Sequence, residues 1–270
     1  MRALALCLLA ATLSAQTPGR GVNFYSYEKE KALGAQMAAD YRTHTPILDS
    51  ATVNVYLNEL GQRLASQAPT TTFTYTFELA DDGRTWLHEP PAFPGGPMFV
   101  PARLILAATG EDELAAMLAH AIAHIVTRQQ TRELTKGQIM NTATIPLIQM
   151  GGPSGYAAAN SAAIPTGFLA FQRENELEAD RVAVGILAAA GYDPEALPRY
   201  IDRFQPADPP LRNSAAPYPD KDQRLAALAA AIQQLPPAQY SEHPGLTAIQ
   251  REVSALLPPP AAKNPPRLAR

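Results

Sequence analysis

The stretch Leu118-Ala119-His120-Ala121-Ile122-Ala123-His124-Ile125 places two of the chain's five histidines four residues apart in an apolar run. Residues at this spacing lie on one face of an α-helix, about one turn apart. Both imidazoles can therefore bind the same zinc ion. The alternative is a pair of polar residues on a solvated helix face, which the surrounding apolar residues disfavour because they predict a buried helix.

A second pair of polar residues at helical spacing occurs downstream, where Glu176 and Asp180 are also four residues apart. Glu176 is a candidate third zinc ligand that comes from a different helix. Asp180 is a candidate acceptor that would fix the tautomer of a ligand imidazole from behind. Alternatively, the two carboxylates form a surface charge network with Arg173 and Arg181; the histidine pair favours the metal site.

Hydrophobic periodicity predicts a helix-rich α+β fold with a small sheet. The predicted helices cover residues 27–41, 49–64, 109–134, 171–190 and 222–235, and Thr109 is expected to cap the third of them. The predicted strands cover residues 73–79, where apolar and polar residues alternate, and residues 98–100, which Pro97 and Pro101 place at a sheet edge. Residues 136–169 show no clean period and predict helix fragments joined by a mobile loop that could act as a lid.

The first 15 residues are typical of a secretory signal peptide, with Arg2, an apolar run over residues 3–13, and small residues at Ser14 and Ala15. An ordinary buried N-terminal helix is the alternative. The single cysteine, Cys7, lies inside the apolar run, so the mature chain is expected to have neither a disulfide nor a thiolate metal site. We expect an exported protein, periplasmic or associated with the cell envelope.

Composition limits the remaining possibilities. The chain has 270 residues, of which 46% are hydrophobic, and a net charge of −3. This apolar content supports a folded core and excludes a disordered chain, and the missing basic excess excludes a general nucleic-acid binder. No later apolar run reaches the length of a transmembrane helix; the apolar residues of 136–169 allow membrane contact without requiring it.

Several motifs in order resemble one known family. Residues 118–125 look like the zinc helix of a gluzincin metalloprotease, H-E-x-x-H, and residues 171–180 resemble the second zinc motif, E-x-x-x-D. With Pro94-Gly95-Gly96 before them, they resemble the peptidase family of the CAAX prenyl protease and HtpX, in particular its exported branch of outer-membrane quality control. The resemblance covers roughly residues 27–228.

The resemblance implies a zincin-like (gluzincin) domain over residues 16–235, followed by a Pro-rich, partly disordered segment over 236–270. It implies zinc as cofactor, with His120, His124 and Glu176 as ligands and Asp180 behind them. It also implies a polypeptide substrate or client protein in the cell envelope.

The chain departs from the family at the position after the first histidine, where Ala121 replaces the glutamate that acts as general base on the zinc-bound water. Two nearby carboxylates are poor replacements. Glu178 is two residues from Glu176 and points elsewhere, and Glu113 lies about 10 Å from the histidines along the helix axis. Peptide hydrolysis is therefore expected to be impaired or lost.

A second departure concerns a His-Pro pair that precedes an arginine in the family. Here Tyr218-Pro219 precedes Arg224 at the family's spacing. Tyr218 and Arg224 are candidates for supporting the oxyanion or the site, because a tyrosine hydroxyl can also donate to an oxyanion; Tyr218 is also a candidate zinc ligand.

Three functions remain open from the sequence. The first is a zinc-binding pseudopeptidase that binds polypeptides without cutting them. The second is an active zinc-dependent metalloendopeptidase with a replacement base, and the third is a metal-free interaction or chaperone-like protein.

Overall fold

The computed structural model describes residues 19, 21–70, 72–83, 89–139, 164–205, 219–241 and 243–258. The predicted signal peptide, residues 140–163 of the predicted loop, Tyr218 and residues 259–270 of the Pro-rich segment lie outside these ranges. The described helices are α1 (Tyr27–His44), α2 (Ala51–Ala65), α3 (Ala102–Ala107), α4 (Glu111–Val126), α5 (residues 129–139), α6 (Ile164–Ala190), α7 (Ala196–Phe204), α8 (Lys221–Gln233) and α9 (Leu246–Leu256). The strands are β1 (Thr76–Ala80) and β2 (Pro97–Pro101). The predicted helix-rich α+β class is confirmed.

Helix α2 illustrates how the sequence pattern sets the packing. Its N-cap, Ser50, accepts a hydrogen bond from the backbone N–H of Val53, which satisfies one of the free donors of the first turn. Apolar residues at helical spacing, Val53, Leu57, Leu60 and Leu64, are buried in the core, as their periodicity predicts.

The sheet has two parallel strands, β1 and β2, with Phe77 opposite Met98. The alternation before and along β1 is confirmed, since Phe73, Tyr75, Phe77 and Leu79 are buried. In this two-stranded sheet β2 is an edge strand, as predicted, but its outer side is not open. On the side away from β1, β2 pairs with residues 91–93, through the Phe99 N–H to the Pro91 carbonyl and the Phe93 N–H to the Pro97 carbonyl.

Helix α4 runs through the core, and nearly all of its residues are buried. It differs from the predicted helix at both ends. Its N-cap is Gly110, not Thr109. At the other end the predicted continuous helix is interrupted at Thr127–Arg128, where Thr127 Oγ1 donates to the Ala123 carbonyl and Arg128 adopts a positive φ of 57°.

The interruption is held from outside the helix, which explains why local periodicity did not reveal it. The Arg128 guanidinium pairs with the buried carboxylate of Glu30 and donates to the Tyr25 carbonyl. It also lies over the Tyr27 ring, 4.3 Å from the ring centroid. These contacts from the α1 region stabilise a backbone conformation that a non-glycine residue rarely adopts.

Helix α6 packs against α4, and α8 packs against α6. Helix α6 starts at Ile164, seven residues before the predicted start at residue 171. Helix α5 extends to residue 139. The described ends of the 136–169 segment are helical, which agrees with the helix fragments predicted there. Among the described residues, no helix is both long and apolar enough to cross a membrane.

Candidate metal centre

Four side chains of ligand type meet where α4 packs against α6: Glu89, His120, His124 and Glu176. The two histidine Nε2 atoms are 2.9 Å apart. Glu176 Oε2 lies 3.5 Å from His120 Nε2, and Glu176 Oε1 lies 3.7 Å from His124 Nε2. The structure therefore brings the three predicted ligands together, and adds a fourth group, the carboxylate of Glu89, that the sequence did not point to.

The helices place these groups by simple geometry. His120 and His124 share one face of α4 because they are four residues apart. Glu176 reaches them from α6, on the helix that covers this face. His120 is fully buried, whereas 17% of the His124 side chain and 12% of the Glu176 side chain are exposed, so the centre lies below the surface and opens toward His124.

The outer nitrogen of each imidazole faces an acceptor. Asp180 Oδ1 lies 2.9 Å from His120 Nδ1, which is the position predicted for Asp180. Gln129 Oε1 contacts His124 Nδ1, and Gln129 Nε2 donates to the Asn175 carbonyl at 2.6 Å. When a metal is bound, an imidazole whose Nδ1–H faces such an acceptor presents its Nε2 lone pair to the centre.

Gln129 is a functional candidate that sequence reasoning missed. In a continuous helix a residue five positions after His124 would lie on another face. The interruption at Thr127–Arg128 turns the chain and brings the Gln129 side chain back to His124.

The arrangement fits a cation. Two Nε2 lone pairs face each other at 2.9 Å, and the buried Glu176 Oε2 has no hydrogen-bond partner among the described residues. Two facing lone pairs would repel unless a proton or a metal cation lay between them. Two imidazoles with carboxylate oxygen are a donor set that zinc prefers.

The pKa values respond to the same crowding. Burial lowers the pKa of His120, but the facing carboxylates, with Glu89 the strongest, together raise it by more. The net pKa of His120 lies well above its ordinary value. Burial raises the pKa of Glu89, but the charges and hydrogen bonds of His120 and His124 together lower it more, so this carboxyl has a pKa well below its usual range. The site thus stabilises positive charge at its middle.

Arg224, a predicted support residue, lies beside the centre. It is buried and forms a bidentate pair with Asp180, with Nε and Nη2 at 2.6 and 2.9 Å from the two carboxylate oxygens. Its Nη2 lies 3.6 Å from Glu176 Oε2. Burial lowers the pKa of Arg224, but Asp180 raises it more, so the guanidinium stays charged. Its role, like that of Tyr218, stays a prediction.

The position of the missing general base is apolar. Ala121 is 1% exposed and belongs to the hydrophobic core. Neither of the two carboxylates considered from the sequence faces the centre. Glu113 is bound by Arg203 and by the backbone N–H of Thr109, and Glu178 pairs with Arg132.

Glu89 is the carboxylate that does reach the centre. Its Oε1 lies 3.2 Å from His120 Nε2, and its Oε2 lies 3.6 Å from His124 Nε2. It was missed because it lies 31 residues before His120, in a segment without periodicity. One feature of the sequence could have pointed to Glu89: it lies five residues before Pro94-Gly95-Gly96, a turn that is part of the family resemblance.

The segment that follows Glu89 covers the outer side of β2, so an added peptide strand would have to pair with the outer edge of this segment. The Pro91 carbonyl and the Phe93 N–H point toward β2. The backbone groups of Pro90 and Ala92 therefore point to the opposite side. Pro90 has no N–H, and the Ala92 carbonyl already accepts from Gln130 Nε2 at 2.6 Å. This edge therefore offers little for an added peptide strand. A cleft of about 460 Å³ lies next to it, lined by residues that include Met37, Pro94, Gln130, Glu133 and Leu134.

The fold and this centre are those of a zinc-dependent peptidase family. Residues 54–232 match the family model described as peptidase family M48, and the chain belongs to this family. The resemblance seen in the sequence is confirmed, and with it zinc as the cofactor of the family.

The matched relatives include beta-barrel assembly-enhancing proteases. The chain is similar to the putative beta-barrel assembly-enhancing protease of Vibrio cholerae, with 28% identity over 89% of this chain and 54% of that protein. It is also 28% identical to the beta-barrel assembly-enhancing protease of Escherichia coli K12, over 66% of this chain and 38% of that protein. A more distant match is the mitochondrial metalloendopeptidase OMA1 of Schizosaccharomyces pombe, with 27% identity over 49% of this chain and 40% of that protein. The chain spans about half the length, or less, of these relatives.

Proposed function

We propose that this protein is an exported, zinc-binding member of the M48 family in which peptide hydrolysis is impaired or lost. One observation carries the proposal. His120, His124 and Glu176 converge at ligand distances, while the general-base position next to His120 is occupied by the buried, apolar Ala121.

The residues of the chain have separate tasks in this proposal. His120, His124 and Glu176 would hold zinc, which when bound polarises a carbonyl and lowers the pKa of a water molecule. Asp180 and Gln129 orient the two imidazoles, and the charge of Arg224 keeps Asp180 ionised. Ala121 has no group that could take the proton from the attacking water or return it to the leaving amine, a contribution of about 10²–10⁴ in rate.

The molecules on which the protein acts are proposed to be polypeptides in the cell envelope. The support is that the bacterial relatives are beta-barrel assembly-enhancing proteases, together with the signal-peptide pattern of residues 1–15. We propose that residues 16–235 act as the zinc-binding domain; α9 of the following segment packs against its core through Leu246, Ile249 and Val253.

The test starts from purified mature protein, from residue 16 onward. The natural chain should hold about one zinc per molecule, and His120→Ala should lose it. The zinc-loaded natural chain should leave a denatured casein substrate intact, or cut it far more slowly than an active family member does. Robust, chelator-sensitive cleavage by the natural chain, absent from His120→Ala, would overturn the proposed impairment.

A second candidate function is an active metalloendopeptidase with a replacement base. The observation that favours it is Glu89, because its carboxylate faces both histidines. This candidate predicts zinc-dependent cleavage that Glu89→Gln abolishes while zinc remains bound. A natural chain that holds zinc and is inert would exclude it.

A further inference from the structure

We propose that Glu89 is the fourth protein ligand of the zinc ion, so that the resting protein holds its metal in a closed His₂Glu₂ site. This inference rests on the proposed zinc binding by His120, His124 and Glu176, and concerns what occupies the remaining coordination position. In related catalytic zinc sites that position belongs to water or substrate, whereas structural sites have four protein ligands.

The four side chains are close enough to bind one ion, because one ligand atom from each lies within 4.8 Å of the others. Bonds of about 2.0–2.1 Å place neighbouring ligand atoms about 3.3 Å apart around tetrahedral zinc. Glu89 Oε1 lies 3.2 Å from His120 Nε2, and its Oε2 lies 3.6 Å from His124 Nε2. The contacts among the other three ligands lie between 2.9 and 3.7 Å. Glu89 thus stands in the same relation to the histidines as Glu176 does.

The charges also balance only when Glu89 is included. Buried charges are tolerated when they are compensated nearby. The carboxylates of Glu89, Glu176 and Asp180 carry three negative charges, and Arg224, which lies within 4 Å of all three, carries one positive charge. A divalent cation brings the sum to zero.

The segment that carries Glu89 is fixed rather than free to swing. The Pro91 carbonyl and the Phe93 N–H are hydrogen-bonded to β2, at 2.8 Å each. On the opposite side, Gln130 holds the Ala92 carbonyl. Two successive prolines, Pro90 and Pro91, restrict the backbone immediately after Glu89. Its carboxylate is therefore presented to the metal by a preorganised support.

Glu89 is also the most exposed of the four side chains, with 23% of its surface accessible while His120 is fully buried. As a fourth ligand it would occupy the coordination position that water takes in an open site. A closed site explains why Ala121 is tolerated: without a metal-bound water, a general base has nothing to deprotonate.

The experiment uses the mature protein loaded with Co²⁺ in place of zinc, with azide and acetohydroxamate as added ligands. Visible d–d absorption reports the coordination of Co²⁺ without any need for activity. We expect the natural protein to show a four-coordinate spectrum that neither ligand changes. Glu89→Ala should bind Co²⁺ at least about tenfold more weakly, and its spectrum should change when azide occupies the opened position. Glu59→Ala, which removes an exposed carboxylate on α2, is the matched control and should behave like the natural protein.

The outcomes separate this inference from the proposed function. If His120→Ala binds Co²⁺ as well as the natural chain does, the metal centre itself is wrong. If His120→Ala loses the metal but the natural protein already binds azide, and Glu89→Ala does not change this, only the fourth-ligand inference is overturned. The azide titration of the natural protein decides the question even if Glu89→Ala does not fold.

Discussion

Arg224 and Asp180 form a buried bidentate ion pair directly behind the first histidine of the centre. The guanidinium Nε and Nη2 lie 2.6 and 2.9 Å from the two carboxylate oxygens, and the same carboxylate lies 2.9 Å from His120 Nδ1. Helix α8, which carries Arg224, thus fixes the orientation of an imidazole on α4 through a side chain of α6.

Removing the guanidinium should destabilise the protein strongly. Arg224→Ala leaves the Asp180 charge buried without its partner, which typically costs about 3–5 kcal/mol. Urea unfolding followed by circular dichroism measures this loss. Arg42→Ala is the matched control, because its pair with Glu78 is largely exposed and should contribute less than about 1 kcal/mol. Equal, small losses in both variants would contradict the structural role of the buried pair.

The contact between Gln129 and His124 should set metal affinity. Gln129→Leu keeps the size of the side chain but removes the acceptor for His124 Nδ1, so zinc affinity should fall about 10–100-fold. Competition with a chromophoric chelator measures it. Gln67→Leu changes an exposed glutamine at the end of α2 and should leave the affinity unchanged. An unaltered affinity in Gln129→Leu would show that the imidazole is oriented by other contacts.

The pair of Glu113 with Arg203 predicts a pH dependence of stability. Burial raises the pKa of Glu113, but the hydrogen bonds from Arg203 and Thr109 lower it more, so the net pKa lies below its ordinary value. A lowered pKa contributes stability that is present above the unfolded pKa and is lost as the pH falls through the folded pKa.

Glu113→Gln should therefore lower the free energy of unfolding at pH 7 by about 1–2 kcal/mol. The difference from the natural protein should shrink below about pH 4. Urea unfolding between pH 3 and 7 tests this, with Glu59→Gln as control. A difference that is constant with pH would mean that the ionised form of Glu113 is not favoured by folding.

The outer edge of the sheet should bind extended peptides poorly in the natural protein. Gln130→Ala frees the Ala92 carbonyl, and Pro90→Ala supplies a backbone donor at the same edge. Each regained hydrogen bond is worth about 1 kcal/mol, so the double variant should bind a fluorescent, unstructured peptide about 30-fold more tightly, as measured by anisotropy. Gln67→Ala is the control. Tight binding by the natural chain that neither change affects would place the peptide elsewhere.

Restoring hydrolysis should require two changes. Ala121→Glu supplies the missing base, but Glu89 would still hold the position that a reacting water needs. We expect the double variant Ala121→Glu, Glu89→Ala to cleave casein at least about 100-fold faster than either single variant, in line with the contribution of general-base catalysis. Full activity in Ala121→Glu alone would show that Glu89 does not block the metal.

The sequence predicted the parts of the centre that depend on local spacing. His120 with His124 and Glu176 with Asp180 are each one helical turn apart, so their shared faces follow from periodicity alone. Glu89 and Gln129 were not predictable in this way. Glu89 is positioned by pairing between residues 91–93 and β2, and Gln129 by a helix interruption that Glu30 and Tyr25 stabilise from a distant segment. Both depend on tertiary contacts rather than on neighbouring residues.

The four proposed ligands come from three separate regions of the chain, so a bound metal would restrict the unfolded chain as a covalent crosslink does. It would join residue 89 to residue 120 and residue 124 to residue 176, closing loops of 31 and 52 residues in a chain whose one cysteine is Cys7. Each closure would restrict the unfolded ensemble by about 4 kcal/mol if it behaved like a disulfide of that loop length. Chelation would then do more than empty a site. It would free the segment that carries Glu89 and loosen the packing of α6 on α4 near Glu176, so an added protease should cleave the metal-free protein faster.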